Sequence, residues 1–179
     1  ISAICICYLK KIDIHKVTEV VKRLPVPDGR MNVINKTINN IPKKVIIDYA
    51  HTPDGLKKLL QTIKKIYQGK ILLVFGCGGD RDKGKRKLMG NIANHYADFV
   101  CITNDNPRNE NPNQIAGQIC EGISCLKKII LDRKKAIEYA IKKTNYPIVV
   151  IAGKGHEKYQ IIKNKKIDFS DKKVVMDIN

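Results

Sequence analysis

Short apolar segments alternate with amphipathic helical patterns along most of this 179-residue chain. The segment 71–75 reads Ile-Leu-Leu-Val-Phe and has no polar side chain for a solvent-facing side, which is typical of a strand covered on both faces. Further strands are predicted at 45–48, 99–103, 128–131 and 147–152. Apolar strands separated by helices form mostly parallel sheets. The sequence therefore predicts an α/β fold, with a Rossmann-like, doubly wound, mostly parallel sheet and helices on both faces.

The predicted helices begin at recognisable start signals. Thr52 can cap a helix that has Pro53 at its first position and an apolar stripe at helical spacing. Further helices are predicted after the Gly-rich turn and after the caps Asn111, Asp132 and Ser170. The last of these is expected to run to the end of the chain. A C-terminal β-hairpin is predicted over 159–169.

Residues 1–24 have the pattern of two helical segments, the second following a cap at Asp13. Pro-Val-Pro-Asp-Gly at 25–29 breaks this pattern, so we place a domain boundary there and the α/β domain over 25–179. Charges follow the first apolar stretch, which is the wrong order for a secretory signal, and no apolar run has the roughly eighteen residues of a membrane span. The chain opens at Ile1 within a helical pattern, so we expect a piece of a longer protein.

The net charge of +17 raises the alternative of a nucleic-acid-binding domain. However, the chain has 28 Lys and only 6 Arg, together with 28 Ile and 14 Asn, which is the usage of an AT-rich genome. The lysines form scattered pairs at solvent-facing helix positions, without interleaved aromatic residues. We therefore expect neither a nucleic acid nor a membrane as partner.

The six cysteines show no Cys-x-x-Cys pair and no Cys-His ligand spacing. Without such spacing, buried and reduced thiols in a cytosolic protein are the expected state. The sequence therefore predicts a cytoplasmic location and no metal site on this chain.

Polar loops follow four of the predicted strands, at 48–53, 76–86, 105–108 and 153–157. In a doubly wound sheet, ligands bind beyond the carboxyl ends of the strands. We therefore expect the four loops to meet at one edge of the sheet and to form one site rich in Arg, Asp, His and Glu.

The Gly-rich loop nearly fits two nucleotide-binding patterns. The dinucleotide fingerprint that starts at Gly76 fails at Arg81, which stands in place of its third glycine. The segment 79–85 matches the start of a phosphate-binding P-loop, but Arg86 replaces the Ser or Thr that would hold magnesium. Either the turn lets Arg81 reach an anion, or it is a tight turn with solvated charges.

Arg108 and Asp105 suit the two charged ends of an amino acid. A guanidinium fork captures a carboxylate with two hydrogen bonds, and a carboxylate accepts an ammonium. The alternative is an internal Asp–Arg pair in a turn. His51 and His156 could contact phosphate or adenine, or could brace their loops.

Four segments carry a family resemblance: DYAHTP, FGCGGDRDKGKR, DNPRNENP and AGKGHEKYQ, in this order. They resemble the C-terminal domain of the Mur ligase family, and within it the MurE-type members, which add diaminopimelate. The likeness runs from about Leu24 to near the C-terminus. It implies that residues 1–24 are the tail of a central ATPase domain and that 25–179 are the C-terminal, amino-acid-binding domain.

The resemblance implies an ATP-dependent amide ligase that adds meso-2,6-diaminopimelate to UDP-N-acetylmuramoyl-L-alanyl-D-glutamate through an acyl phosphate, in peptidoglycan synthesis. ATP and Mg²⁺ would be held mainly by the central domain, and the nucleotide sugar by the N-terminal and central domains. Since the sequence has no complete P-loop, we expect the isolated chain to be inactive. The alternative is a non-catalytic diaminopimelate-binding module from a truncated or decayed gene. A folylpolyglutamate synthetase or another Mur ligase is disfavoured by DNPR and GKGHE.

By motif, the resemblance assigns the binding of diaminopimelate to Arg81, Asp105, Asn106, Pro107, Arg108, Gly153 and Glu157. It assigns contacts to ATP to Arg30, Asp48 and His51. Lys85 and Lys154 remain weaker candidates for anion contacts, and no catalytic residue is assigned on this chain. Family members that add lysine lack Arg at position 108, so its presence favours diaminopimelate.

Overall fold

The computed structural model describes residues 2–24 and 27–178. Its helices are α1 Ser2–Leu9, α2 Ile14–Arg23, α3 Pro53–Ile66, α4 Gly84–Tyr96, α5 Pro112–Cys120, α6 Arg133–Lys142 and α7 Asp171–Met176. Its strands are β1 Asn32–Ile38, β2 Ile41–Asp48, β3 Ile71–Phe75, β4 Phe99–Ile102, β5 Leu126–Ile129, β6 Ile148–Ala152, β7 Tyr159–Ile162 and β8 Lys165–Asp168.

Six strands form one sheet in the order β1-β2-β6-β3-β4-β5. β1 is antiparallel to β2, and the other neighbours are parallel. β7 and β8 form the separate antiparallel hairpin. The predicted fold class is confirmed: a mostly parallel sheet covered by helices, with a hairpin near the C-terminus.

The core has one apolar cluster on each face of the sheet. Alternate residues of β6 belong to opposite clusters, as the two-residue period of a strand requires, with Val150 on one face and Val149 on the other. Residues of α3, α4 and α5 cover the first face, and residues of α6 and α7 cover the second. The central strands are therefore buried on both sides, which explains their lack of polar residues.

The structure corrects three of the predicted elements. The strand predicted at 45–48 begins at Ile41 and pairs with β1, which was not predicted. Asn39 and Asn40 join the two strands with φ values of 50° and 62°, the left-handed conformation of a two-residue hairpin turn. The strand predicted at 128–131 lies two residues earlier, and the last helix ends at Met176.

The two N-terminal helices are confirmed. Asp13 caps α2, since its Oδ1 accepts a hydrogen bond of 2.9 Å from the backbone N–H of His15. Part of the predicted break at 25–29 lies outside the described residues, because Pro25 and Val26 are not described. None of the described helices has the length and apolar character needed to cross a membrane.

The expectation of buried thiols is correct for Cys77 and Cys101 and wrong for Cys5. All six cysteines are free. Burial raises the pKa of the Cys77 and Cys101 thiols to about 12. Cys5 is exposed, because α1 has α2 as its principal packing partner among the described elements.

Candidate functional site

The loops after β2, β3, β4 and β6 meet at one edge of the sheet, as predicted, and enclose a cavity of about 510 Å³. Its walls include seven of the ten residues assigned by motif, namely His51, Arg81, Asp105, Asn106, Arg108, Gly153 and Glu157, whereas Pro107, Arg30 and Asp48 lie outside it. Tyr49, Cys77, Lys85 and Tyr159 also line it. The parallel strands bring these residues together because their carboxyl ends share one edge.

The Gly-rich loop after β3 packs tightly against the loop after β4. A Cβ atom on Gly79 would lie 1.9 Å from the carbonyl oxygen of Pro107, and one on Gly76 would lie 2.0 Å from that of Thr103. The N–H of Gly79 donates to the carbonyl of Asn106 at 2.9 Å. Only glycine permits this approach at Gly76 and Gly79, so the two loops form one wall of the cavity.

A buried arginine ties this wall together. The side chain of Arg86 is fully buried, and its guanidinium donates to Glu110 through Nη1 and Nη2 at 2.8 and 2.9 Å. Nη2 also donates to the carbonyl of Gly78 at 3.1 Å, and Glu110 accepts the N–H of Asp80 at 2.6 Å. The hydrogen bonds from Arg86 hold the pKa of Glu110 down at about 2. Arg86 therefore braces the loop from inside, at the position where a P-loop would use Ser or Thr.

Arg108 is held in an unusual conformation at the cavity wall. Its φ is +49°, and its backbone pairs with the hairpin through Arg108 N to Ile161 O at 3.1 Å and Lys163 N to Arg108 O at 2.8 Å. Its Nη1 donates to the carbonyl of Gly79 at 2.8 Å. No acceptor among the described residues bonds its Nη2 or Nε, so these donors remain available to a carboxylate in the cavity.

Asp105 contributes a carboxylate with free lone pairs. The residue is 8% exposed and lines the cavity, and no donor in the described part of the chain bonds its carboxylate. A Cβ atom on Gly153, whose φ is +114°, would lie 2.8 Å from Oδ2 of Asp105. Gly153 thus leaves room for this carboxylate, which suits a cationic ligand group.

Glu157 supplies a second carboxylate, bound on one side by protein. Its Oε2 accepts from Nζ of Lys154 at 2.7 Å and from Nδ2 of Asn106 at 3.2 Å. Burial alone would raise the pKa of Glu157, but the ammonium of Lys154 and the amide of Asn106 hold it below its ordinary value. The side chain of Lys154 is fully buried in this contact, so it bonds a protein carboxylate and does not line the cavity.

The residues assigned to ATP are divided between two places. His51 lines the main cavity, and its carbonyl accepts from Nζ of Lys85 at 3.0 Å. Arg30 and Asp48 line a separate depression of about 250 Å³. Tyr49 connects the two, because its ring lies 5.0 Å from Cζ of Arg30 and 4.6 Å from the ring of His51.

Asp48 and Pro107 have structural contacts as well. The two carboxylate oxygens of Asp48 accept the N–H groups of Met31 and Ala50, both at 2.8 Å. Pro107 is buried against Gly79 and is not part of the cavity wall.

Sequence reasoning missed the roles of Arg86 and Glu110 and the presence of Tyr49 and Tyr159 in the cavity wall. The sequence contains one sign that Arg86 is unusual, because it stands where a P-loop has Ser or Thr. Its partner Glu110 could not be identified, because it lies 24 residues away.

Among residues 2–24 and 27–178, no three His, Cys, Asp or Glu side chains come together to hold a metal ion. The charged groups of the cavity instead suit hydrogen bonds to a zwitterionic ligand, with guanidinium donors for carboxylates and carboxylates for ammonium groups.

The sequence is similar to known ligases. A family model described as Mur ligase, glutamate ligase domain, matches residues 29–155. A UDP-N-acetylmuramoyl-L-alanyl-D-glutamate–2,6-diaminopimelate ligase of Prochlorococcus marinus is 50% identical over 180 residues, covering 97% of this chain and 35% of that protein. A ligase of the same name from Buchnera aphidicola subsp. Schizaphis graminum is 58% identical over 138 residues, covering 74% of this chain and 27% of that protein.

Two solved structures are also similar to this chain, one in sequence and fold and the other in fold. A structure of a ligase of that name is 39% identical and matches with a TM-score of 0.74, over 97% of this chain and 36% of its own. A folylpolyglutamate synthase of Mycobacterium tuberculosis, 21% identical, matches with a TM-score of 0.61 over 79% of this chain and 33% of its own, which shows a shared fold. The chain spans 27% to 36% of the length of these relatives.

Proposed function

Since this chain belongs to the Mur ligase family, we propose that it is the amino-acid-binding part of an ATP-dependent ligase. The full-length ligase adds meso-2,6-diaminopimelate to UDP-N-acetylmuramoyl-L-alanyl-D-glutamate in peptidoglycan synthesis. The names of the two ligases at 50% and 58% identity support this substrate pair.

The placement of Arg108, Asp105 and Glu157 around one cavity carries this proposal. Diaminopimelate has a carboxylate and an ammonium at each end. The free N–H groups of Arg108 would take the far carboxylate, and the two protein carboxylates would take the ammonium beside it. Lysine lacks that carboxylate and would leave the arginine without an ionic partner, at a cost of about 1–3 kcal/mol.

The remaining motif residues complete this proposed site. Arg81 adds a second guanidinium at the cavity wall, and Asn106 bonds Glu157. Gly153 leaves space for Asp105, while Pro107 and Gly79 fix the backbone around Arg108. Held at its far end, the ligand would extend its near amino group toward the reacting carboxylate. The chain would thus contribute orientation to the reaction.

In such a ligase the γ-carboxylate of D-glutamate is activated as an acyl phosphate with ATP, and the amino group of diaminopimelate then displaces phosphate. We propose that Arg30, Asp48 and His51 reach ATP from this domain. Arg30 and His51 flank Tyr49 and present a cation and an imidazole at the surface. Asp48 would act indirectly, because its carboxylate accepts hydrogen bonds from the N–H groups of Met31 and Ala50 and so fixes the backbone next to Arg30 and His51.

Among the described residues, no three His, Cys, Asp or Glu side chains come together to hold an ion. We propose that Mg²⁺ and most of ATP bind a central domain of the longer protein, to which residues 1–24 belong, and that 25–179 form the C-terminal domain. The exposed apolar side chains of α1 and α2, such as Ile6, Leu9 and Val20, support this division.

The free thiols suit a reducing compartment, so we place the ligase in the cytoplasm.

The test compares meso-diaminopimelate with L-lysine by NMR titration of this chain. We expect shifts of the resonances of Arg108 and Glu157 and an affinity at least tenfold higher for diaminopimelate. Equal affinity for the two amino acids would refute the substrate assignment. In a turnover assay with ATP and the nucleotide precursor, the full-length ligase should form the tripeptide and the isolated chain should not.

A further inference from the structure

Lys154 is a buried cation in a loop that lines the proposed amino-acid site. Its side chain has no exposed surface, whereas the exposed fraction of the Glu157 side chain is 17%. Burial of an ammonium is unfavourable unless hydrogen bonds and an opposite charge compensate it. Lys154 finds both in Oε2 of Glu157 at 2.7 Å and Oδ1 of Asn106 at 3.1 Å.

The three side chains form a closed set of hydrogen bonds. Oδ1 of Asn106 accepts from Lys154 and from the N–H of Ile161 at 2.9 Å, which leaves its Nδ2 to donate to Glu157 at 3.2 Å. Both donors to Glu157 bond the same oxygen, Oε2. In the described part of the protein no donor bonds Oε1, and Glu157 lines the cavity.

The loop that carries Lys154 is itself fixed. The N–H of Glu157 donates to the carbonyl of Lys154 at 2.9 Å, which closes a tight turn. A Cβ atom on Gly155 would lie 2.7 Å from the carbonyl oxygen of Gly29 and from Cβ of Tyr49. The turn therefore brings Lys154 and Glu157 to the same side of a closely packed loop, where their side chains pair.

We propose that Lys154 is a positioning residue, which binds Oε2 of Glu157 and the amide of Asn106 so that Oε1 of Glu157 is presented to an ammonium group in the cavity. This inference rests on the proposed function, because it takes the ligand to be an amino acid. Lys154 also lowers the pKa of Glu157, which favours the ionised form that can pair with an ammonium.

Other charged groups lie near Glu157. Arg81, Asp82 and Lys85 after β3 and Asp105 and Arg108 after β4 line the same cavity. Arg133 on α6 interacts with the Glu157 charge, and His156 in the same loop lowers the Glu157 pKa. Lys154 differs from these groups because its ammonium bonds the Glu157 carboxylate directly. Its removal should therefore move the Glu157 pKa upward.

The test uses Lys154→Met, which has similar length and no charge, and Lys154→Arg, which keeps the charge. Lys166→Met is the matched control, because Nζ of Lys166 lies 4.0 Å from the ring of Tyr159 and forms no ion pair with a carboxylate of the described residues. Carboxyl ¹³C titration of this chain measures the Glu157 pKa, and NMR titration with meso-diaminopimelate between pH 5 and pH 8 measures affinity.

We expect Lys154→Met to raise the Glu157 pKa and to weaken diaminopimelate binding about tenfold at pH 7. The loss should grow as the pH falls through the raised pKa, while Lys154→Arg should restore most of the affinity. Lys166→Met should change the affinity by less than about twofold. If Lys154→Met lowers the melting temperature too far for study, Lys154→Gln replaces it, with the same expected displacement of the pH profile.

Two results would overturn this inference: an unchanged Glu157 pKa in folded Lys154→Met, or an affinity and pH profile equal to those of the unaltered chain. Failure of the proposed function looks different. In that case the unaltered chain would not bind diaminopimelate, and the ¹³C titration alone would decide whether Lys154 controls Glu157.

Discussion

Arg86 and Glu110 form a two-point ion pair, with Nη1–Oε2 and Nη2–Oε1 distances of 2.8 and 2.9 Å, between α4 and the loop after β4. The same Oε1 accepts the N–H of Asp80, whose φ of +51° sets the course of the Gly-rich loop. Arg81 and Arg108 therefore project from loops that are fixed to each other. The pair links the stability of the domain to the geometry of its anion-binding side chains.

Replacing Glu110 with Gln should destabilise the domain. The change leaves the fully buried guanidinium of Arg86 without its ionic partner, and breaking a buried pair in this way costs about 3 kcal/mol. Urea unfolding measures the loss, and NMR titration should show weaker binding of diaminopimelate in the variant. Glu121→Gln is the control, because Glu121 is exposed and forms no ion pair among the described residues; it should cost less than about 0.5 kcal/mol. Equal stability of the two variants would refute this role of the pair.

The lowered pKa of Glu110 also predicts how the stability of the domain changes in acid. Its pKa is lowered from the ordinary 4.5 to about 2 by the hydrogen bonds from Arg86. A carboxyl group with a depressed folded-state pKa binds fewer protons when folded, so its contribution is complete above about pH 4.5 and is lost as the pH falls toward 2. The difference in unfolding free energy between the unaltered chain and Glu110→Gln should therefore shrink over that range. A difference that stays constant from pH 6 to pH 2.5 would contradict the assignment.

The helices were predictable because their signals are local. Thr52, Asn111, Asp132 and Ser170 each accept the cap hydrogen bond that their residue type implies. The edge strand β1 was missed because its residues alternate in exposure and are rich in Asn and Lys, so they lack the continuous apolar character of the central strands. The Asn39-Asn40 turn was the local signal for it.

The contents of the site were only partly predictable. The four loops meet because parallel strands end at one edge, which the pattern of strands implies. The burial of Arg86 could not be predicted, because it depends on Glu110 in another loop, and the burial of Lys154 depends on Asn106 in another loop as well as on Glu157 in its own. The same holds for Arg133, whose guanidinium is fully buried against Asp171, 38 residues away. Sequence reasoning placed the paired lysines at the surface and assigned no partner to Arg86 or Arg133, whose burial depends on partners 24 and 38 residues away.

In the proposed full-length ligase, Arg108 should contribute to the binding of diaminopimelate and not to the binding of ATP. Arg108→Lys keeps a positive charge and loses the two-point fork, so we expect diaminopimelate to bind about 10- to 100-fold more weakly. ATP affinity should change by less than about twofold, because the ATP contacts are proposed at Arg30, Asp48 and His51. Calorimetry with each ligand measures both effects. Equal losses for the two ligands would show that the substitution disturbs the domain as a whole.

Two glycines within helices provide a matched test of the packing between α4 and α5. A Cβ atom on Gly90 of α4 would lie 2.2 Å from the carbonyl oxygen of Ile119 and 3.2 Å from Cα of Gly122, so the helices approach too closely there for a methyl group. A Cβ atom on Gly117 of α5 would meet nothing within 4 Å. The two positions therefore differ in the space available for a side chain, although both have a helical backbone.

Gly90→Ala should destabilise the domain by about 1–3 kcal/mol, because the methyl group forces α4 away from backbone atoms that cannot move independently. Gly117→Ala should stabilise it by about 0.5–1 kcal/mol, because alanine loses less backbone entropy in a helix. Thermal unfolding of both variants measures the sign of each change in stability. A loss of stability in both would mean that Gly117 faces a neighbour, and a gain in both would mean that α4 and α5 are separated by more than the structure indicates. Opposite signs would locate the tight helix crossing at Gly90, where α4 meets Ile119 and Gly122.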